Sequence, residues 1–225
     1  RERVKAQYGI HVTADNNEVV EKADTIVLSV KPQFYADVIA EIKDIVRPEQ
    51  LIITIAPGKT LTWLADQFGK AVKITRTMPN TPAMVGEGMT AACPNEHMTE
   101  EEIAYVKTIL ESFSRVEVVP EKLMDAVTAV SGSSPAYVYM MIEAMADAAV
   151  SGGMPRPQAY KFAAQAVLGS AKMVLETGKH PGELKDMVCS PAGTTIEAVR
   201  TLEELGFRSS IIEAMKVCEE VSKSM

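Results

Sequence analysis

Ser190-Pro191-Ala192-Gly193-Thr194-Thr195-Ile196-Glu197 sets three hydroxyls and a glycine ahead of apolar residues that recur at Ile196, Val199, Leu202 and Leu205. That recurrence marks a helix, and Thr194 followed by Glu197 reads as a capping box at its start. The first amides of a helix have no partner within it, and the helix dipole is positive there, so the tip attracts anions. A carboxylate could accept from the amides of Gly193, Thr194 and Thr195 and from the hydroxyls of Ser190 and Thr195. Taken alone, the same pattern is also that of an ordinary capped helix with no ligand, which is the commoner case.

A second set of residues lies after three short β-branched runs. Ser29-Val30-Lys31-Pro32, Ala56-Pro57-Gly58 and Met78-Pro79-Asn80-Thr81-Pro82 are each stiffened by proline, which fixes φ and removes a donor. Gly58 allows backbone to come close to a ligand. In open parallel α/β sheets, ligands bind outside the carboxyl ends of the strands. Three such turns in succession point to a rigid, mostly apolar wall there, with Lys31 as either a charge near an anion or a solvated strand end. Other constellations are weaker. Cys93 and His97 have a metal-like gap without a second pair, so no metal site is expected. His11 and His180 have no identifiable partners. Ser131-Gly132-Ser133-Ser134-Pro135 is not a G-x-S-x-G nucleophile elbow, and neither a G-x-G-x-x-G nor a Walker phosphate loop is present.

The elements that must carry these residues follow from periodicity. Thr25 to Val30, Leu51 to Ile55, Val72 to Arg76 and Val116 to Val119 read as strands. Between them, residues 33 to 46, 60 to 68 and 99 to 113 read as helices. This β-α-β-α-β order predicts a parallel sheet with helices on both faces. The character changes near Pro120, after which no convincing strand occurs. Segments 135 to 150 and 155 to 176 are rich in small and flexible apolar residues, and 194 to 205 and 208 to 223 bring the set to about five helices, counting the segment after Pro120. The thin polar faces of these helices predict contact with a second copy of the chain.

Composition bounds the rest. The chain has 225 residues, 47% apolar and 24% charged, with a formal net charge of -7. That mixture excludes a disordered chain, and the scattered basic residues argue against nucleic acid. No apolar run reaches the ~18 residues of a membrane span. The three cysteines are odd in number and far apart, which fits a reducing compartment, so a cytoplasmic location is expected.

Several segments, in order along essentially the whole chain, resemble pyrroline-5-carboxylate reductase. They are Ala23-Asp24 leading into Val30-Lys31-Pro32, Arg76 to Pro82, Asp125 to Tyr137, His180 to Asp186 and Ser190 to Ile196. The resemblance implies a Rossmann-type α/β nucleotide-binding domain (1–119) followed by an all-α dimerisation domain (120–225). It implies hydride transfer from NADPH or NADH to the ring C=N of 1-pyrroline-5-carboxylate, giving L-proline. Homodimers, which can assemble further into rings, are implied as well. By position, Asn16, Ser29, Val30, Lys31 and Pro32 would approach the cofactor, with Ala56 and Pro57 near its nicotinamide end. Glu121, Ser190, Gly193, Thr194 and Thr195 would bind substrate, and Thr195 would hydrogen-bond the ring nitrogen as the candidate catalytic residue.

The family begins with a strand, a Gly-rich turn, a helix and a second strand, and a unit of that kind is not seen ahead of Arg1. The sheet is therefore expected to be incomplete at its amino end, with impaired cofactor binding. Two other readings are a relative acting on another small acid, such as a 3-hydroxyacid dehydrogenase, and a non-catalytic dimerising module. The Gly193-Thr194-Thr195 segment argues against both, while the missing Gly-rich turn favours the second.

Overall fold

A computed structural model describes residues 1–224. The chain opens with α1 (Glu2–Tyr8) and α2 (Asn16–Lys22), the latter capped by Asp15, which accepts from the Asn17 amide at 2.9 Å. β1 (Thr25–Leu28), α3 (Tyr35–Ile42), β2 (Leu51–Thr54), α4 (Leu61–Phe68) and β3 (Lys73–Met78) then alternate as the apolar periodicity requires. β1 pairs with β2, and β2 with β3, in parallel, so that Leu28 lies beside Thr54 and Thr54 beside Arg76.

The remaining strands correct the expectation of an all-parallel sheet. β4 (Gly88–Pro94), α5 (Glu100–Glu111) and β5 (Ser114–Val118) complete a five-stranded sheet in the order β1-β2-β3-β4-β5. β4 runs antiparallel to β3, with Met78 opposite Ala91, and parallel to β5. The sequence reading leaves β4 unassigned because Gly88, Ala91, Ala92 and Pro94 have little β propensity. They suit a crowded place: a Cβ on Gly88 would lie 2.8 Å from the Ser114 Cβ and 2.9 Å from the Phe113 carbonyl.

Alternation along the strands puts helices on both faces. Ile52 and Ile74 join Val20, Tyr35, Ile39, Ile42, Leu64 and Phe68 in one core, built from α2, α3 and α4. Leu51 and Ile53 face the other way, in a core with Val106 and Leu110 of α5. A third cluster joins Met78, Ala91 and Cys93 to Met124.

Beyond β5 the described residues contain helical turns and no strand. A 3-10 turn (Glu121–Leu123), α6 (Met124–Val127) and a π turn (Thr128–Gly132) precede α7 (Ser134–Ser151), α8 (Arg156–Thr177), α9 (Pro181–Val188), α10 (Thr194–Glu204) and α11 (Phe207–Lys223). α9 is a helix the sequence reading leaves out. Its N-cap is His180, whose Nδ1 accepts from the Gly182 amide at 3.0 Å, so His180 has a partner after all. His11 has one too, in Glu18 at 2.9 Å.

The chain forms two compact units. One comprises residues 1–133 and the end of α11 from Cys218 onward; the other comprises Ser134–Val217. The segment after β5 sits with the sheet because Met124 is buried against Met78 and Cys93. The end of α11 joins it through the Ser222 hydroxyl, which donates to Asp125 at 2.7 Å. In the second unit, α7 and α8 pack on each other with Ala146, Ala159 and Ala163 buried, and Arg156 pairs with Asp147. Tyr139, Met140, Phe162 and Leu175 of these two helices stay more than half exposed. No helix among the described residues is long and apolar enough to cross a membrane.

Candidate active site

The carboxyl edge of β1, β2 and β3 carries the predicted turns. Ser29 and Val30 leave β1 exposed, and Lys31 caps a 3-10 turn that begins at Pro32. Asn16, the first residue of α2, donates through Nδ2 to Glu41 at 2.8 Å. Asn16, Ser29 and Val30 share a small cavity of about 160 Å3 with Leu28 and Val38. After β2, Ala56 is buried and Gly58 takes φ +73, which the missing side chain permits. Ser29, Ala56 and Gly58 put small side chains along one sheet edge, which suits a flat ring such as the nicotinamide end of a dinucleotide.

Glu121 is held by two donors. Its Oε1 accepts from Arg76 Nη1 at 2.8 Å and from the Leu61 amide at 2.7 Å. Arg76 is buried in β3, with only 6% of its side chain exposed, so Glu121 neutralises a guanidinium that water cannot reach. At Leu61 the same oxygen satisfies the first amide of α4, beside Thr60, whose hydroxyl accepts from the Trp63 amide. Glu121 thereby ties β3 to the helix that follows the Ala56–Gly58 turn. Cys93, opposite Arg76 on β4, feels the same pair. Burial and the Glu121 charge push its thiol up, and Arg76 pulls it partly back. Arg76 went unassigned in the sequence reading although it opens one of the motifs; a lone arginine inside a β-branched strand was the available signal.

The predicted capping box at the Thr194 segment does not form. Gly193, not Thr194, is the N-cap of α10, and no side chain caps it. The Glu197 carboxylate instead accepts from Arg200 Nε at 3.1 Å, an (i, i+3) pair along the helix. The amides at the start of α10 are therefore left open. Ahead of them, the Gly193 amide closes a turn onto the Ser190 carbonyl at 3.1 Å, with Pro191 and Ala192 at its corners. Ala192 takes φ 56, the one non-glycine residue at positive φ among those described. Proline followed by a left-handed residue is the geometry of a type II turn, which normally takes glycine at that second corner. A Cβ on Gly193 would overlap the Ser190 hydroxyl and lie 3.1 Å from the Ser190 carbonyl. The turn therefore brings Ser190, Gly193, Thr194 and Thr195 to one helix tip, with Thr195 half-buried and Ser190 exposed. No group of three or more His, Cys, Asp or Glu side chains suited to a metal ion occurs among the described residues.

The mostly parallel sheet with its three turns, followed by helices, defines a Rossmann-type α/β fold continued by an all-helical region. Residues 1–58 match the NADP oxidoreductase, coenzyme F420-dependent family, and residues 121–225 match the pyrroline-5-carboxylate reductase dimerisation domain. The chain belongs to the pyrroline-5-carboxylate reductase family. It is 57% identical to the pyrroline-5-carboxylate reductase of Escherichia coli (strain K12) over 219 residues, 97% of this chain and 81% of that protein. The structure of the reductase from Coxiella burnetii superposes with a TM-score of 0.92 at 34% identity, covering 99% of this chain and 83% of that one. The Plasmodium falciparum pyrroline carboxylate reductase with NADP bound gives a TM-score of 0.88 at 34% identity, over 94% of this chain and 80% of that one.

Proposed function

We propose that this protein reduces the ring C=N of 1-pyrroline-5-carboxylate to L-proline, using NADPH or NADH. The observation that carries the substrate half of this reading is the uncapped tip of α10. Its open amides and the hydroxyls of Ser190 and Thr195 form a site for one small carboxylate. Gly193 keeps that site free of a side chain, and Thr194 presents its amide there. When bound, the nicotinamide supplies the hydride. Asn16, Ser29, Val30, Lys31 and Pro32 would line the cofactor's path, with Ala56 and Pro57 at its nicotinamide end. Thr195 would hydrogen-bond the ring nitrogen and so orient the imine, which needs no strong acid once protonated. Positioning then supplies much of the rate. Glu121 enters as a residue of the substrate region whose carboxylate is fixed by Arg76 and Leu61.

In this reading residues 1–119 are the nucleotide-binding domain, since β5 ends at Val118, and residues 120–225 dimerise and bind the carboxylate. The exposed aromatic and aliphatic residues of α7 and α8 support a homodimer, which can build larger rings. The three free cysteines support a cytoplasmic location. The test is twofold. With the amino-terminal β-α-β unit of the family in place, consumption of NADPH on addition of 1-pyrroline-5-carboxylate, with L-proline as product, is expected. L-proline is also expected to bind, and Thr195→Ala to weaken it. Turnover without proline formation, or proline affinity indifferent to Thr195→Ala, would overturn the reading.

A further inference from the structure

Tyr35 lies in neither proposed binding set, yet it bonds the backbone immediately ahead of both of the turns assigned to the cofactor. It is the first residue of α3 and is fully buried between that helix and the sheet, in the core with Ile39, Ile52 and Ile74. Its hydroxyl donates to the Leu28 carbonyl at 2.5 Å and accepts from the Ile55 amide at 3.2 Å. Leu28 is the last residue of β1, and Ile55 directly follows the last residue of β2. The parallel ladder ends at the Leu28–Thr54 pair, and beyond it the chains part into Ser29–Pro32 and Ala56–Gly58. A carbonyl and an amide that leave a sheet at a buried point must find other partners. A single phenol serves both, because a hydroxyl donates one hydrogen bond and accepts others.

We propose that Tyr35 is a positioning residue for cofactor binding: its hydroxyl clamps the point where β1 and β2 diverge and so sets the gap between the Ser29–Pro32 and Ala56–Gly58 turns. The assignment of those turns to NAD(P)H rests on the reductase reading; the clamp itself rests only on the hydrogen bonds. Burial pushes the Tyr35 phenol above its ordinary value, with the amides of Ile55 and Ala56 drawing it partly back, so the proton needed for the Leu28 bond stays in place at neutral pH.

Tyr35→Phe keeps the ring and removes both bonds. Ile39→Val, one turn along the same helix and equally buried, removes a methyl group from the same core without touching either turn, and serves as the control. Site-resolved amide exchange of the ligand-free protein is the first measurement. Tyr35→Phe is expected to speed exchange at Ile55 and through Ala56 to Gly58 by about tenfold relative to Ile39→Val. The second measurement is NADPH affinity, where Tyr35→Phe is expected to raise Kd about tenfold, with kcat at saturating NADPH and KM for 1-pyrroline-5-carboxylate held within about twofold. Equal exchange in the two variants, or an NADPH affinity that moves only as far as in Ile39→Val, overturns the proposal. The affinity measurement is made with the family's amino-terminal β-α-β unit in place; if the wild-type protein then bound no NADPH, the reductase reading would fail, and the clamp would be decided by the exchange measurement alone.

Discussion

Removing Glu121 should reveal how much of the sheet unit depends on one carboxylate. Its Oε1 serves the buried Arg76 and the first amide of α4 at once. Breaking a buried ion pair costs about 3–5 kcal/mol, mostly from the charge left behind. Glu121 is 31% exposed, so water reaches its end of the pair and the figure falls to about 2–3 kcal/mol. Loss of the acceptor at Leu61 adds about 0.5–1 kcal/mol, as for a helix cap. Glu121→Ala should thus destabilise the unit by about 3 kcal/mol. Glu121→Gln keeps an oxygen for Leu61 but not the charge, and should cost about half as much. The assay is built in, because Trp63 is the chain's single tryptophan and lies on α4, two residues past Leu61. Urea unfolding followed by its fluorescence reports this unit, read as a midpoint shift at unchanged slope. Arg76→Met combined with Glu121→Leu should recover most of the loss, with a coupling of about 1.5 kcal/mol or more in the double-mutant cycle. If Glu121→Ala shifts the midpoint no further than Glu117→Ala, an exposed carboxylate on β5, the assigned role of the pair is wrong.

Three further predictions follow from local geometry. Gly193→Ala should weaken L-proline binding about tenfold or more, because the new Cβ displaces the Ser190 hydroxyl, while leaving the Trp63 unfolding midpoint where it was; calorimetry and urea titration check the two halves. Gly88→Ala should destabilise the sheet unit by about 1–3 kcal/mol in the same Trp63 assay, since its Cβ meets the backbone carbonyl of Phe113 at 2.9 Å and the Cβ of Ser114 at 2.8 Å. Glu18 is held at about 2, below the ordinary 4.5, chiefly by Lys22 and then by Thr13 and His11. Its folded value is depressed, so its stabilising contribution is complete above 4.5 and is lost as pH falls toward 2. Carboxyl NMR should find Glu18 still ionised at pH 3.5, and Glu18→Gln should flatten that part of the stability profile; titration near 4.5 would refute the assignment.

Much of this molecule was legible in one dimension because burial imposes periodicity. The runs at Thr25, Leu51 and Val72 are short and rich in β-branched residues; β2 is buried along its whole length, as an unbroken apolar run requires, whereas β1 keeps Val27 half exposed. The proline-stiffened turns after them follow from the same logic, as does the helix beginning near Gly193. β4 escaped because its small residues answer to crowding by Ser114 and Phe113, a constraint set by a neighbour 26 residues away from Gly88 and invisible in its own pattern. The capping box was a plausible local pairing that lost to another local pairing, Glu197 with Arg200, and only the φ of Ala192 and the turn at Ser190 decided which residue would cap α10. Arg76 with Glu121, and Tyr35 with Leu28 and Ile55, lie beyond any sequence pattern. They join residues 45, 7 and 20 positions apart through hydrogen bonds that exist only once the sheet has brought its strand ends together. Periodicity reports which face of an element is dry; which polar atoms meet inside that dry space is a property of the assembled fold.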